Sequence, residues 1–415
     1  MIQADASNYL QRLRGLQPGE TLVLAAGDYD TVDDVPGLPI FDINGTAEHP
    51  VVITGPDTGP RPRLLGRSTH NTIRLANASH IVVRNLNIDG RDLGGAGVAA
   101  EGIAHHITIE NLRITGVGGD QQNVGISTVG SPTWNWTVRG NTIIGAGTGM
   151  YFGNSDGTSP FVAGLIEHNL IRDTIGYNIQ IKHQNPRPSI AGMPTGRSST
   201  IIRHNVFSKS ATSSTGSLAR PNLLVGHFPT NGPGMDDDYQ IYGNFFWQNP
   251  TETLFQGEGN IAFYSNLLVN HGGSGVMIQP HHDVPKTIRI FGNTIIAAGI
   301  GVRVSGSNPG HVQRVEKNAV FAATPVTAAD QADNTTASLV EAGNTLASPV
   351  NDLTRFDASP RPGALTANGV APTGIGAYGY ATIDFDMRAR DWQVRGAYAA
   401  ESVEPKWRPG LELKH

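Results

Sequence analysis

The 415-residue chain contains no cysteine. Disulfides and thiolate metal sites are therefore excluded, and either an oxidising or a reducing compartment is compatible. Charge is also scarce: Asp, Glu, Lys and Arg make up 16% of residues, and the net charge of −5 argues against general nucleic-acid binding. No run of about eighteen apolar residues occurs, so no membrane span is expected. The opening stretch MIQADASNYL is polar and lacks a signal-peptide pattern. A mature secreted chain begins the same way, so that lack does not fix the compartment.

What is present is glycine (51), proline (26) and much asparagine, a profile that suits a turn-rich all-β protein. One phrase recurs: apolar-x-apolar, polar, Asn, apolar, x, apolar. It appears as IVVRNLNI (Asn85), ITIENLRI (Asn111), WTVRGNTII (Asn141), GLIEHNLI (Asn169) and TIIRHNVF (Asn205). It returns as QIYGNFF (Asn244), IAFYSNLL (Asn266), IRIFGNTII (Asn293) and QRVEKNAVF (Asn318). Successive asparagines are 26, 30, 28, 36, 39, 22, 27 and 25 residues apart, the longer intervals holding Gly/Pro/Ser inserts. A fixed phrase with variable inserts marks a stacked solenoid.

Each unit holds two or three short alternating strands and no helix-period segment, so it cannot bury its apolar face alone. Stacking coils at about 4.8 Å gives a continuous core. Asparagines at one bend of every coil are expected to form a ladder of side-chain amides and to tolerate the left-handed turn geometry. Tyr9, Leu10, Leu13 and Leu16 fall at helical spacing after Asp5 or Ser7, either a suitable N-cap, and read as a short helix closing the first coil. Residues 1–345 are thus expected to form the solenoid with its N-terminal cap. Residues 346–415, rich in Pro, Gly and aromatics, read as an irregular C-terminal cover.

Over roughly residues 20–350 this pattern resembles the right-handed parallel β-helix (pectate-lyase-like) superfamily, closest to the polysaccharide-lyase branch of chondroitinase B and alginate lyases. The resemblance implies secretion or a periplasmic site, since large polymers do not enter cells. It implies an acidic polysaccharide as partner, with neither nucleic acid nor membrane, and leaves the oligomeric state open, a monomer being compatible.

After each Asn phrase comes a second short strand: VGIST, GMYFGN, NIQIKHQ, NLLVGHF, LFQGEG, VMIQPHHD and GVRVSG. With apolar positions inward, Tyr151, Gln180, Lys182, His183, His227, Gln256, Glu258, Gln279, His281, His282 and Asp283 are expected on one solvent-facing patch. Its width is on the order of 20 Å. Long inserts flank these coils, as walls of a binding site do. Residues 176–235 carry six Lys/Arg (Lys182, Arg187, Arg197, Arg203, Lys209, Arg220), three His and no Asp or Glu, a sector that can concentrate a polyanion. The following MDDDY (Asp236, Asp237, Asp238) reads as a solvated turn, with a calcium site as the alternative.

β-Elimination of a uronate needs a base for the C5 proton, an acid for O4 and a clamp on the carboxylate. The resemblance gives Lys182 the role of base and matches His227 to the histidine of an Arg-His-Gly segment whose arginine has no counterpart here. His227 is the next candidate as acid or base; His183 and Tyr151 are alternatives. Gln180, Arg187, Arg220, Gln256, Gln279, His281 and His282 are the candidate substrate-binding residues. Glu258 and Asp283 are the candidate Ca²⁺ ligands, Glu258 alternatively orienting His227. The PHHD string is similar to the Pro-His-Asp segment of mannuronan C5-epimerases, which abstract the same proton. A glycoside hydrolase would need two carboxylates roughly 5–9.5 Å apart, for which Glu258 and Asp283 are the candidates. A non-catalytic carbohydrate-binding solenoid would need an aromatic strip, and these strands offer Tyr151, Phe152, Phe228 and Phe255.

Overall fold

The computed structural model describes residues 1–30, 37–401 and 404–415. The chain groups into two compact units, residues 1–200 with 228–236, and residues 201–227 with 237–415. Each is a parallel β-solenoid.

In the first unit the coils that follow the N-terminal strand and helix contribute to three faces. One face stacks Ile2–Ala4, Thr21–Leu24, Val51–Thr54, Ala78–Arg84, Ala104–Glu110, Thr137–Arg139 and Leu165–Glu167, all parallel. A second runs from Gly27–Tyr29 through Pro62–Leu65, Asn87–Asp89, Arg113–Thr115 and Thr142–Ile144 to Leu170–Arg172. The third stacks Leu38–Phe41, Ile73–Ala76, Ala96–Ala100, Val124–Ser127, Thr148–Phe152 and Ile179–Ile181. Alternation explains the closure: Ile81 and Val83 pair with Ile107 and Ile109, and all four are buried while Val82 and Thr108 between them are half-exposed.

The second unit repeats the plan. Asp238–Tyr242, Ile261–Tyr264, Ile288–Phe291, Gln313–Glu316 and Asp330–Ala332 form one face. Leu223–Val225, Phe255–Gly257 and Val276–Ile278 begin another, which the long strand Thr294–Val304 continues.

The asparagine ladder is present in both units. Asn141 Nδ2 donates to Asn169 Oδ1 at 2.9 Å, and in the second unit Asn205, Asn244, Asn266, Asn293 and Asn318 each donate to the next rung at 2.9–3.1 Å, the series ending on Asn334 Oδ1. Asn334 is a further rung that the sequence phrase did not reveal, because it follows Asn318 by only 16 residues. The left-handed position, however, belongs to the asparagine only at Asn85 and Asn111. In later coils the residue before it turns left-handed, as at Gly140, His168, His204, Gly243, Ser265, Gly292 and Lys317. The asparagine is then free to serve the ladder alone.

The N-terminal helix is Tyr9–Leu13, with Tyr9 and Leu13 buried and the Tyr9 hydroxyl donating to Gly37 O. Its N-cap is Asn8 rather than Asp5 or Ser7. Asp5 instead closes the preceding turn, accepting from the Ser7 amide and hydroxyl. Among the described C-terminal residues, Leu346–Ser348 pairs antiparallel with Asp357–Pro360, isolated antiparallel bridges join Thr366 to Val394 and Ile383 to Ala389, Ile375–Ala377 makes one 3-10 turn, and the rest is irregular. This segment covers the outer side of one face: Ile375, Tyr378, Ala381 and Trp392 pack on Tyr242, Tyr264 and Phe291, whose rings stack at 4.8 and 4.9 Å. Among the described residues no helix is long and apolar enough to cross a membrane.

Candidate functional site

In the first unit, the register of the third face sets Tyr151 between Ser127 and Gln180 on neighbouring coils. Tyr151 is half-exposed and packs on Ala96, Ala99 and Val124. Lys182 follows the strand Ile179–Ile181, its amide held by Phe152 O at 2.9 Å. Its Nζ lies 5.3 Å from the centroid of the Tyr151 ring and makes no hydrogen bond or ion pair among the described residues. The amine is thus half-exposed, oriented by an aromatic face and uncommitted.

His183 comes next, against the turn at residues 153–159. A Cβ on Gly157 would lie 2.9 Å from the His183 ring, and Gly157 has φ +77°, so only glycine lets this turn close on the imidazole. Asp156 braces the turn through the Thr158 amide and hydroxyl, and Asn185 bonds it from the far side through Gly157 O and Asp156 O. Tyr151, Gln180, Lys182 and His183 are therefore brought together. Gln180 departs from the expected solvent-facing position and is buried.

Arg187 is also buried, with Nη1 on Pro194 O and Gly196 O, where it staples the loop that follows. The basic sector presents less charge than its count implies. In the second unit Lys209 is fully buried and donates to Arg220 O. Burial, with Arg220 nearby and against the pull of Glu252, pushes its pKa down to about 7. Arg220 spans the carbonyls of Ser217 and Ala219.

In the second unit Gln256 and Gln279 are half-exposed on the face that carries Leu223–Val225, Phe255–Gly257 and Val276–Ile278. Glu258 and His227 were expected at the surface, yet both are buried, at 4% and 3% exposure. Glu258 Oε2 accepts the amides of His281, His282 and Asp283 at 3.0, 2.8 and 3.4 Å, and Oε1 accepts Nδ1–H of His282 at 2.9 Å. Glu258 therefore anchors the PHHD loop and orients His282, not His227. His227 is held by the same loop: its Nε2–H donates to Val284 O at 3.0 Å. The side chains of His281, His282 and Asp283 are exposed.

This arrangement does not fit a calcium ligand. The oxygens that Ca²⁺ would require already face four N–H groups. Among the described residues, three His, Asp or Glu ligand atoms lie within 4.8 Å of one another only at His80, His105 and His106, and neither Glu258 nor Asp283 joins such a group. The MDDDY turn is not fully solvated either: Asp237 and Asp238 are buried. Of the four aromatics offered for a binding strip, Phe152, Phe228 and Phe255 are buried and Tyr151 is half-exposed. A cleft of about 660 Å³ in the second unit, between Phe356, Arg361, Glu404 and Arg408, includes none of the residues singled out from sequence.

No family model matches the chain, and no characterised protein matches it in sequence. Solved structures similar to it include an alginate lyase from Paenibacillus, with TM-score 0.46, 14% identity and coverage of 81% of this chain and 97% of that one. A lacto-N-biosidase from Eubacterium ramulus gives 0.45 and 13%, covering 77% of this chain and 63% of its own. The A-module of a mannuronan C-5 epimerase from Azotobacter vinelandii gives 0.41 and 15%, covering 80% and 89%.

Proposed function

We propose that the chain is a polysaccharide lyase that cleaves a uronic-acid-containing polymer by β-elimination, with Lys182 as base and Tyr151 as acid. The observation that carries this reading is the uncommitted Lys182 amine at a strand end, 5.3 Å from the Tyr151 ring centroid. In its neutral form Lys182 takes the C5 proton. The electron pair left on C5 forms the C4–C5 double bond as the C4–O4 bond breaks, and the Tyr151 hydroxyl gives its proton to O4. Proton return from Lys182 to Tyr151 restores both groups. His183, packed against the turn at Gly157, is the group we assign to binding the polymer beside them.

Hydrolysis fits less well. It needs one carboxylate free to act on water and a second to protonate the leaving group. Glu258 is buried and spends its oxygens on a loop.

The test is incubation with a panel of uronate polymers, following the ultraviolet absorbance of the conjugated 4,5-unsaturated product. A rise that Lys182→Ala and Tyr151→Phe each remove supports the assignment. New reducing ends without that absorbance identify a hydrolase, and an altered epimer ratio at unchanged chain length identifies an epimerase. Either result overturns the lyase reading.

A further inference from the structure

We propose that His80, His105 and His106 bind a divalent transition-metal ion, Zn²⁺ by its ligand chemistry, and that the ion staples two neighbouring coils of the first unit. The site is independent of the proposed elimination.

The strands Ala78–Arg84 and Ala104–Glu110 pair in parallel, Ala104 with Ala78, His105 with Ser79 and Ile107 with Ile81. That register leaves His80 and His106 as matched residues, and both are left-handed, at φ 53° and 54°. The shared kink turns both rings the same way, and they stack with centroids 4.4 Å apart and planes within 19°. His105 joins edge-on, its Nδ1 2.8 Å from Nδ1 of His106. One ring nitrogen from each of the three lies within 4.8 Å of the others.

The surroundings hold these rings in place. Trp134 stacks on His105 at 4.4 Å and 12°. Asn135, left-handed on the next coil, has its side-chain amide 2.8 Å from Nε2 of His106. The atom facing Nε2 is Nδ2; a half-turn of the amide presents Oδ1 instead, which accepts Nε2–H and leaves Nδ1 as the lone-pair atom, the outer support that metal-binding histidines commonly have. Three imidazoles without thiolate or carboxylate select Zn²⁺ and its neighbours over Ca²⁺ or Mg²⁺. All three residues are half-exposed, so the fourth position opens to water.

The experiment is calorimetric titration of the chelator-treated, full-length protein with Zn²⁺, repeated on His80→Asn and His106→Asn. Asparagine tolerates the left-handed backbone, as Asn135 shows, so these variants keep the fold. The expected result is saturable binding at one ion per chain that both variants lose, with Asn135→Gly weakening it by roughly 10- to 100-fold. Cu²⁺ should quench tryptophan fluorescence in the native protein, and less in Trp134→Phe. Absence of saturable binding, or binding that survives in the His80→Asn/His106→Asn double variant, overturns the proposal.

Discussion

Lys182 Nζ and the Tyr151 ring stand 5.3 Å apart on successive coils, and no acidic side chain among the described residues pairs with the amine. If this pair performs the elimination, Lys182→Ala should lower kcat by about 10²–10⁴-fold, the usual worth of a positioned proton-transfer group. Tyr151→Phe keeps the ring that orients the amine and removes only the hydroxyl. It should lower kcat with KM little changed, whereas Tyr151→Ala should disturb both. Steady-state kinetics on the best polymer distinguish the two, and equal turnover in native protein and Lys182→Ala would remove Lys182 from the mechanism.

Glu258 tests whether the PHHD loop is held by a carboxylate or by a cation. Glu258→Ala strips three amides and an imidazole of their acceptor and should cost on the order of 2–3 kcal/mol. Glu258→Gln retains one acceptor oxygen and should fall between the two. A chelator, applied in the His80→Asn/His106→Asn background so that the proposed histidine site is absent, should leave the midpoint of denaturant unfolding unchanged if the anchoring is as described. A drop matching that of Glu258→Ala would reveal an ion at this position.

The ladder makes a graded stability test. Asn266 bonds Asn244, Asn293 and Ile241 O from a fully buried position, so Asn266→Ala leaves several polar groups without partners and should cost on the order of 3 kcal/mol. Asn334 lies half-exposed beyond the last of the repeated phrases, where water can replace the lost bonds, so Asn334→Ala should cost less than half as much. Equal losses would show that the two rungs contribute alike.

Lys414 gives a pH signature. It is buried, donates to Gly243 O and Phe385 O at 2.8 and 2.5 Å, and lies over the Phe385 ring. Burial, opposed by Asp386 and Asp384, pushes its pKa down to about 7 from 10.5. Between those values the unfolded chain holds a proton that the folded chain does not, so stability should rise with pH across that window. Lys209 acts in the same direction. Unfolding midpoints measured from neutral to alkaline pH should climb in the native protein and climb less in Lys414→Met. An identical slope would assign the effect elsewhere.

Much of this was legible in the sequence where it is periodic. The Asn phrase located the coils and the ladder, because a buried amide must recur once per coil to be satisfied by its neighbour. The left-handed residue was not legible, since Gly140, His168, Ser265 and Lys317 share no side-chain chemistry. The fate of Glu258 was hidden for a related reason. Its partners sit on an aperiodic loop, and alternation says nothing about a loop folding back to bury a strand end. Arg187 and Lys209 likewise counted as surface charge until the loops around them were in place. The histidine group left a trace that periodicity could have shown. His80 and His106 are 26 residues apart, as are Asn85 and Asn111, so each histidine precedes its repeat asparagine by five residues.

The ladder also bears on how a molecule of this kind can grow. Each asparagine offers its neighbour on one side what it requires from the other. A whole turn can therefore be duplicated or deleted with every amide still matched, whereas a fraction of a turn breaks the series. Chain length in such a protein is quantised in complete windings, and inserts between windings vary freely because they lie outside that series.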